Sequence, residues 1–324
     1  MNHQEDEPLV SFIITYYNLS VQMLCECIDS ILRLSLRSFE REIIVIDDGS
    51  DMSPINDLMK YGDDIIYVRQ KNKGLSMARN KGIDVATGTY IQFVDADDQL
   101  IQAPYEQCLD IIRYKKGSDM VLFDFSENPQ SKAISETIEP LSGSKYMRNN
   151  NIHGTACGYI FRRAILGNLR FSADIYHEDE EFTPLLLLRA EEVYPTHAKA
   201  YYYNKREQSI TSSKTPYDTE KRINDREGVL FRLHEQCDKL PHQDKTALER
   251  RIAQLTMDYI YHIIIETHSN DILNQRLERL YNKGLFPLPD GGYSQKYTWF
   301  RRMTNNRVGR ILLLHSLPLL KKER

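Results

Sequence analysis

After a short polar stretch the chain runs Val10-Ser11-Phe12-Ile13-Ile14-Thr15-Tyr16-Tyr17-Asn18, apolar positions closed by polar aromatic ones. Such a run reads as a strand buried on both faces. The period then changes: Val21, Leu24, Ile28, Ile31 and Leu32 recur at helical spacing behind Ser20, a residue type that caps helix starts. Glu42–Asp51 brings four consecutive β-branched residues, then Asp47, Asp48 and a Gly-Ser turn, and Ile65–Arg69 predicts a third strand. Lys71–Gly88 predicts a turn at Gly74, a helix starting near Ser76 and a stop at Gly88. Residues 89–100, TYIQFVDADDQL, form a fourth strand that ends abruptly in Asp95, Asp97 and Asp98. Strand and helix alternating, with buried strands, predict a parallel α/β sheet.

Downstream the pattern loosens. Pro104–Lys116 reads as a helix and Asp119–Phe125 as a strand. Ser126–Lys145 is polar and turn-rich, with room for one edge strand, and Gly158–Arg163 is strand-like. His177, Glu178, Asp179, Glu180 and Glu181 stand ahead of a Leu-rich helix. Ala200–Lys214 closes this region with a loop holding Arg206 and Ser209. From Tyr217 the pattern is helical over 218–240, 245–268 and 271–283, the last stopping at Gly284, and a basic, apolar tail follows. These shifts place one α/β domain at 1–215, with halves at about 8–100 and 101–215, and a helical region at 216–324.

Composition is that of a globular protein, 41% hydrophobic and 27% charged, which argues against disorder and against a membrane bundle. The five cysteines are scattered without metal-ligand spacing and predict reduced thiols in a cytoplasmic compartment. The acidic N-terminus lacks the apolar segment of a signal peptide, and no run of about 18 apolar residues predicts a membrane span. Charge adds one feature. Lys296–Arg324 carries +7 of a net −4, leaving −11 on the rest. Pro318 is expected to interrupt any long helix there. The basic residues, with Ile311, Leu312, Leu313, Leu314, Leu317, Leu319 and Leu320, suit an anionic membrane surface, against the alternative of leucines packed on the protein with a solvated charged face.

In parallel sheets ligands collect at the carboxyl ends of the strands. Three such ends here carry Thr15-Tyr16-Tyr17-Asn18, Asp47-Asp48 and Asp95-Ala96-Asp97-Asp98. Clustered carboxylates repel and raise one another's pKa, so as packing they are unfavourable. They suit a divalent cation shared with a phosphorylated ligand, although a solvated turn is the plain alternative. The acids at 178–181 have a plain reading too, since a first helical turn favours negative charge. The functional reading puts Asp179 or His177 in the same pocket.

Together VSFIITYYN, IDDGSxD, N-x-GLSxARNxGI, DADD and HEDEEF resemble the family 2 glycosyltransferases of the GT-A fold, particularly bacterial enzymes of capsular and other surface polysaccharides. The resemblance covers about 8–215. It implies a mixed, mostly parallel central sheet and a nucleoside-diphosphate sugar as donor, with uridine favoured as the base. Thr15, Tyr17 and Asp48 would hold the nucleotide, Arg79 would approach the diphosphate or brace the aspartates, and Asp95 would lie near the ribose. Asp97 would ligate Mn²⁺ or Mg²⁺, and Asp179 would be the base of an inverting transfer to a saccharide or lipid-linked acceptor. Arg206 and Ser209 would belong to a loop closing near the diphosphate. No nucleic-acid partner is expected. The enzyme would work in the cytoplasm, with its tail on the inner membrane face. Two other readings compete: a metal-dependent nucleotidyltransferase, and a sugar-nucleotide-binding module without activity.

Overall fold

A computed structural model describes residues 7–133, 138–205, 215–291 and 294–322. The chain forms two compact units, Met1–Tyr146 with His153–Ser209, and Met147–Ile152 with Ile210–Arg324. The strands are β1 (Val10–Tyr16), β2 (Arg41–Asp47), β3 (Ile65–Arg69), β4 (Tyr90–Asp95), β5 (Gln99–Leu100), β6 (Met120–Ser126), β7 (Tyr159–Arg162) and β8 (Val193–Tyr202). In the first unit they make one sheet in the order β3-β2-β1-β4-β7-β6-β8-β5. β3, β2, β1 and β4 run parallel, whereas β7 is antiparallel to both β4 and β6. The sheet is therefore mixed and mostly parallel, as the family resemblance implies, whereas the apolar runs alone predict a parallel sheet.

The central strands are apolar because both faces are covered. Val10, Phe12, Ile13 and Ile14 of β1 have no exposed surface, and Ile44, Val45 and Ile46 of β2 are equally buried. Helix α1 (Val21–Leu32) buries Leu24, Cys27, Ile28 and Ile31 on one stripe. Ser20 stands at its N-cap position, but its side chain makes no capping bond. The first turn instead closes through the Ser20 carbonyl, which accepts from Met23 and Leu24. A four-residue helix, α2 (Ile55–Leu58), precedes α3 (Leu75–Val85). α3 ends before Gly88, so Gly88 is not its stop. Its backbone N–H donates to Ser11 Oγ, and a Cβ there would lie 2.6 Å from that oxygen. Glycine serves close approach to β1.

Gly82 of α3 is tighter still, since a Cβ would collide with the buried Ile13 side chain of β1. Alanine is the better helix former by about 1 kcal/mol, but overpacking a closed core costs about 1–3 kcal/mol. Gly82→Ala is therefore expected to lower the melting temperature. An unchanged or higher melting point would show that Ile13 has room to move.

The remaining helices of the first unit are α4 (Gln102–Tyr114), α5 (Gly143–Asn149, which runs into the second unit) and α6 (Glu178–Leu187). The described part of the polar stretch before α5 holds an isolated bridge, Leu141 to Val193, in place of the expected edge strand. β8 has no counterpart in the sequence reading. Thr196, Ala198 and Ala200 point inward and His197 and Lys199 outward, a period of two. Pro195 hides that alternation. It is accommodated opposite Leu122, where the β6–β8 register shifts.

The second unit holds α7 (Pro216–Cys237), α8 (His242–Thr267), α9 (Asn270–Asn282), α10 (Gln295–Asn305) and α11 (Arg307–Lys322). α8 packs against α7, α9, α10 and α11. α11 continues through Pro318, contrary to the expected interruption. Four helical residues follow the proline, so the one backbone bond it removes falls in the last turns. Among the described residues no helix is long and apolar enough to cross a membrane. All five cysteines are free thiols.

Candidate active site

The parallel strands change direction of winding between β1 and β4: β2 and β3 lie to one side of β1, and β4 to the other. Ligands of open α/β sheets collect outside the carboxyl ends at such a point. Register puts Thr15 of β1 beside Asp95 of β4, and Tyr16 beside Asp47 of β2. With strands about 4.8 Å apart, the ends of β2 and β4 stand roughly 10 Å from each other, with Thr15 between them. Thr15 is half-buried, whereas Tyr17, just past the strand, is 44% exposed.

The β2 end is built by its own loop. Asp47 is fully buried and accepts from the Ser50 backbone N–H (2.8 Å) and Tyr67 Oη (2.7 Å). Asp48, 4% exposed, accepts from Gln70 Nε2 (2.7 Å) and the backbone N–H groups of Lys73 (2.9 Å) and Gly74 (2.8 Å). Gly49 is indispensable here: φ is +75°, and a Cβ would lie 2.6 Å from the Asn72 nitrogen. Asn18 ties the β1 end to this loop, its Oδ1 accepting from Asp51 N–H and its own N–H donating to Ser50 Oγ.

Arg79, on α3, connects the β4 end to α6. Its Nη2 donates to Asp95 Oδ1 (3.1 Å) and its Nη1 to Glu178 Oε1 (2.6 Å), and its guanidinium lies over the Phe171 ring. Burial alone would lower its pKa, but Asp95 and Glu178 hold it above the ordinary arginine value, so the group is a fixed cation. Of the three aspartates at the β4 end, Arg79 bonds Asp95, and its second partner is Glu178. Asp95 remains 38% exposed despite that bond. Ala96 is buried and Asp97 half-buried.

Asp98 is neither solvated nor an open ligand. It is 2% exposed, accepting from Tyr201 Oη (2.9 Å) and Asn204 N–H (2.9 Å). Burial first, then the Asp95 and Asp97 charges, push its pKa up to about 8. Tyr201 also accepts from the Asp95 N–H (3.0 Å), so a single phenol on β8 sets the backbone of the Asp-Ala-Asp turn. Neither Tyr201 nor Asn204 was legible as a site residue. Cys27 and Cys157 line the same region, and burial lifts both thiols well above their usual range, which makes them unreactive.

On α6 the acids occupy the first turn, behind His177 in the left-handed conformation (φ 65°). Glu178 is buried against Arg79. Asp179 is half-buried, and its Oδ1 accepts from the Glu180 N–H (2.9 Å). Burial, then Glu178 and Glu180, push Asp179 up to about 8, with Arg79 pulling the other way. A carboxyl so placed stays partly protonated near neutral pH. Arg206 and Ser209 lie outside the described residues.

Among the described residues no group of three or more His, Cys, Asp or Glu is arranged to hold a metal ion. Asp95 and Asp97 together supply at most part of a shell. That fits a hard cation completing its coordination with ligand phosphates and water, and it does not fit a closed protein cage.

Residues 11–169 match the family model described as glycosyl transferase family 2. The chain is 33% identical over 221 residues to the uncharacterized glycosyltransferase EpsJ of Bacillus subtilis, covering 63% of each chain. It is 28% identical over 230 residues to the minor teichoic acid biosynthesis protein GgaB of the same organism, covering 66% of this chain and 25% of that one. The matches thus span less than two thirds of these relatives' own lengths. Among solved structures, S. aureus TarS 1–349 in complex with UDP-GlcNAc superposes with a TM-score of 0.66 at 19% identity, over 97% of this chain and 91% of that one. A mannosyltransferase from Pyrobaculum calidifontis, in complex with GDP-Man and Mn²⁺, gives 0.54 at 14%, over 98% and 88%. The TarS likeness shows the GT-A type of fold.

Proposed function

We propose that the chain, whose residues 11–169 match the model of glycosyl transferase family 2, transfers a sugar, with inversion, from a uridine-diphosphate sugar to a saccharide or lipid-linked acceptor in polysaccharide synthesis. The observation that carries this is Arg79, which joins Asp95 at the β4 end to Glu178 at the start of α6. It fixes the acidic turn bearing Asp179 to the strand end that would hold the diphosphate. Two separate carboxylate functions, one for donor and one for acceptor, are what glycosyl transfer needs. Nucleotidyl transfer has no use for the second.

Tyr17 would stack on the base, with Thr15 beside it. A carboxylate offers about four lone-pair sites. Asp48 uses three on its own loop, leaving one for a base N–H. Asp95 would lie near the ribose. Asp97 would hold Mn²⁺ or Mg²⁺, which when bound neutralises charge on the departing diphosphate. Asp179 takes the acceptor hydroxyl proton as that oxygen attacks the anomeric carbon, and the bond to the diphosphate oxygen breaks with its electron pair. The relatives named for glycosyl transfer and teichoic acid synthesis, and the UDP-GlcNAc bound by TarS, support this reading.

The test is release of nucleoside diphosphate from a panel of sugar donors, with and without Mn²⁺. Release of sugar 1-phosphate in place of nucleoside diphosphate, or binding without turnover, would favour one of the competing readings. For the metal, Asp97→Asn is expected to abolish Mn²⁺-dependent binding of UDP in calorimetry. Unchanged affinity would remove Asp97 from the metal site.

A further inference from the structure

Helix α11 is apolar on both sides. Inward it buries Leu313 and packs against α8 and α10. Outward, Val308, Ile311, Leu312 and Leu319 are 66%, 46%, 54% and 64% exposed. Their spacing of three, four and seven, with exposed His315 between Leu312 and Leu319, keeps them on one stripe. A surface helix ordinarily turns its polar side outward, so an exposed apolar stripe, interrupted here by His315 alone, marks an interaction surface. The sequence alone had pooled all seven apolar residues of the tail. The structure removes Leu313 to the core and adds Val308.

What covers the stripe follows from the charges around it. Lys296 and Arg302 of α10 and Arg307 of α11 are exposed, and no acidic residue occurs between Asp290 and Glu323. Arg301 is already paired with Asp290 (2.8 Å) and does not count. Trp299, the single tryptophan of the chain, is 50% exposed on α10. A half-exposed indole beside apolar and cationic side chains has the composition of a segment lying in a lipid headgroup region. A second copy presenting the same face would bring cation against cation, which disfavours a symmetric dimer through this helix. We infer that the outward face of α10 and α11 docks on an anionic phospholipid surface. The inference goes beyond the transferase reading and is tested without donor or acceptor.

The experiment uses the full chain, the fluorescence of Trp299, and flotation with phosphatidylglycerol or phosphatidylcholine vesicles. With the anionic vesicles at low salt, the protein should float and the tryptophan emission should shift to the blue. High salt should release it, because the cations are exposed. Ile311→Glu/Leu312→Glu changes only exposed positions and should weaken binding by on the order of tenfold or more with an unchanged melting temperature. Arg302→Glu/Arg307→Glu should abolish the preference for anionic lipid. Absence of flotation at low salt, or flotation indifferent to both double variants, overturns the inference. So does a dimer in sedimentation equilibrium that the Ile311/Leu312 variant dissociates while vesicles bind neither protein.

Discussion

Asp179→Asn is expected to leave UDP affinity nearly intact while cutting sugar transfer by on the order of a hundredfold or more, the usual worth of a general base. The geometry makes the substitution mild: an amide oxygen can accept the Glu180 N–H as the carboxylate does. The pH dependence identifies the group. With Asp179 pushed up to about 8 by burial and by Glu178 and Glu180, much of it is protonated at neutral pH in the free protein. Transfer at limiting substrate should therefore rise as pH increases through about 8, and the residual activity of the variant should lack that limb. Stability should move the other way. The folded pKa lies above the unfolded value of about 3.9, so the folded state holds a proton that the unfolded chain releases between about pH 4 and 8. Asp179 thus costs stability as pH rises through that window. The Asn variant should melt higher than the parent at pH 8, with the gap closing toward pH 4. A variant that loses UDP binding and melts lower would make Asp179 structural.

The parts of this molecule that were legible in the sequence are those in which one physical rule acts alone. β1, β2 and β4 lie inside a covered sheet, so their runs are apolar except for Ser11 and Gln92, and their polar ends stand out. Thr15, Asp48 and Asp95 could be aligned because each follows such a run. What pairing does between distant residues was not legible. Glu178 is 99 residues from Arg79, and Tyr201 is 106 from Asp95. Nothing in HEDEEF distinguishes a buried partner of an arginine from an acid favouring a helix start. Tyr201 sits on β8, whose alternation is broken by Pro195, and a strand missed takes its phenol with it. Asp98 shows the same limit: three aspartates in four positions look alike, yet one is sealed by Tyr201 and Asn204 while Asp95 stays partly open. The tail erred differently. Its apolar residues were visible, but which side of the helix each occupies depends on α8, whose packing takes Leu313.

Arg79→Met is expected to be the most damaging single change in the first unit. The side chain is 5% exposed and holds two carboxylates from different elements. Methionine fills much of the volume, so the loss is one of charge. Glu178, 9% exposed, would be left as a buried anion without its cation, a situation worth about 3–5 kcal/mol. Asp95 would lose its brace, and UDP binding should weaken with it. Arg79→Lys keeps the charge but cannot span both partners with a planar fork, and should recover part of the stability. The decisive variant is Arg79→Met/Glu178→Gln. Removing both members takes away the stranded charge, so stability should return toward the parent in a denaturant titration, leaving a large coupling between the two sites. Activity should not return, because neither residue then ties the β4 end to the turn carrying Asp179. If the double variant were as unstable as Arg79→Met alone, the cost would lie in packing against Phe171. If it recovered transfer as well as stability, the bridge would be dispensable for positioning Asp179.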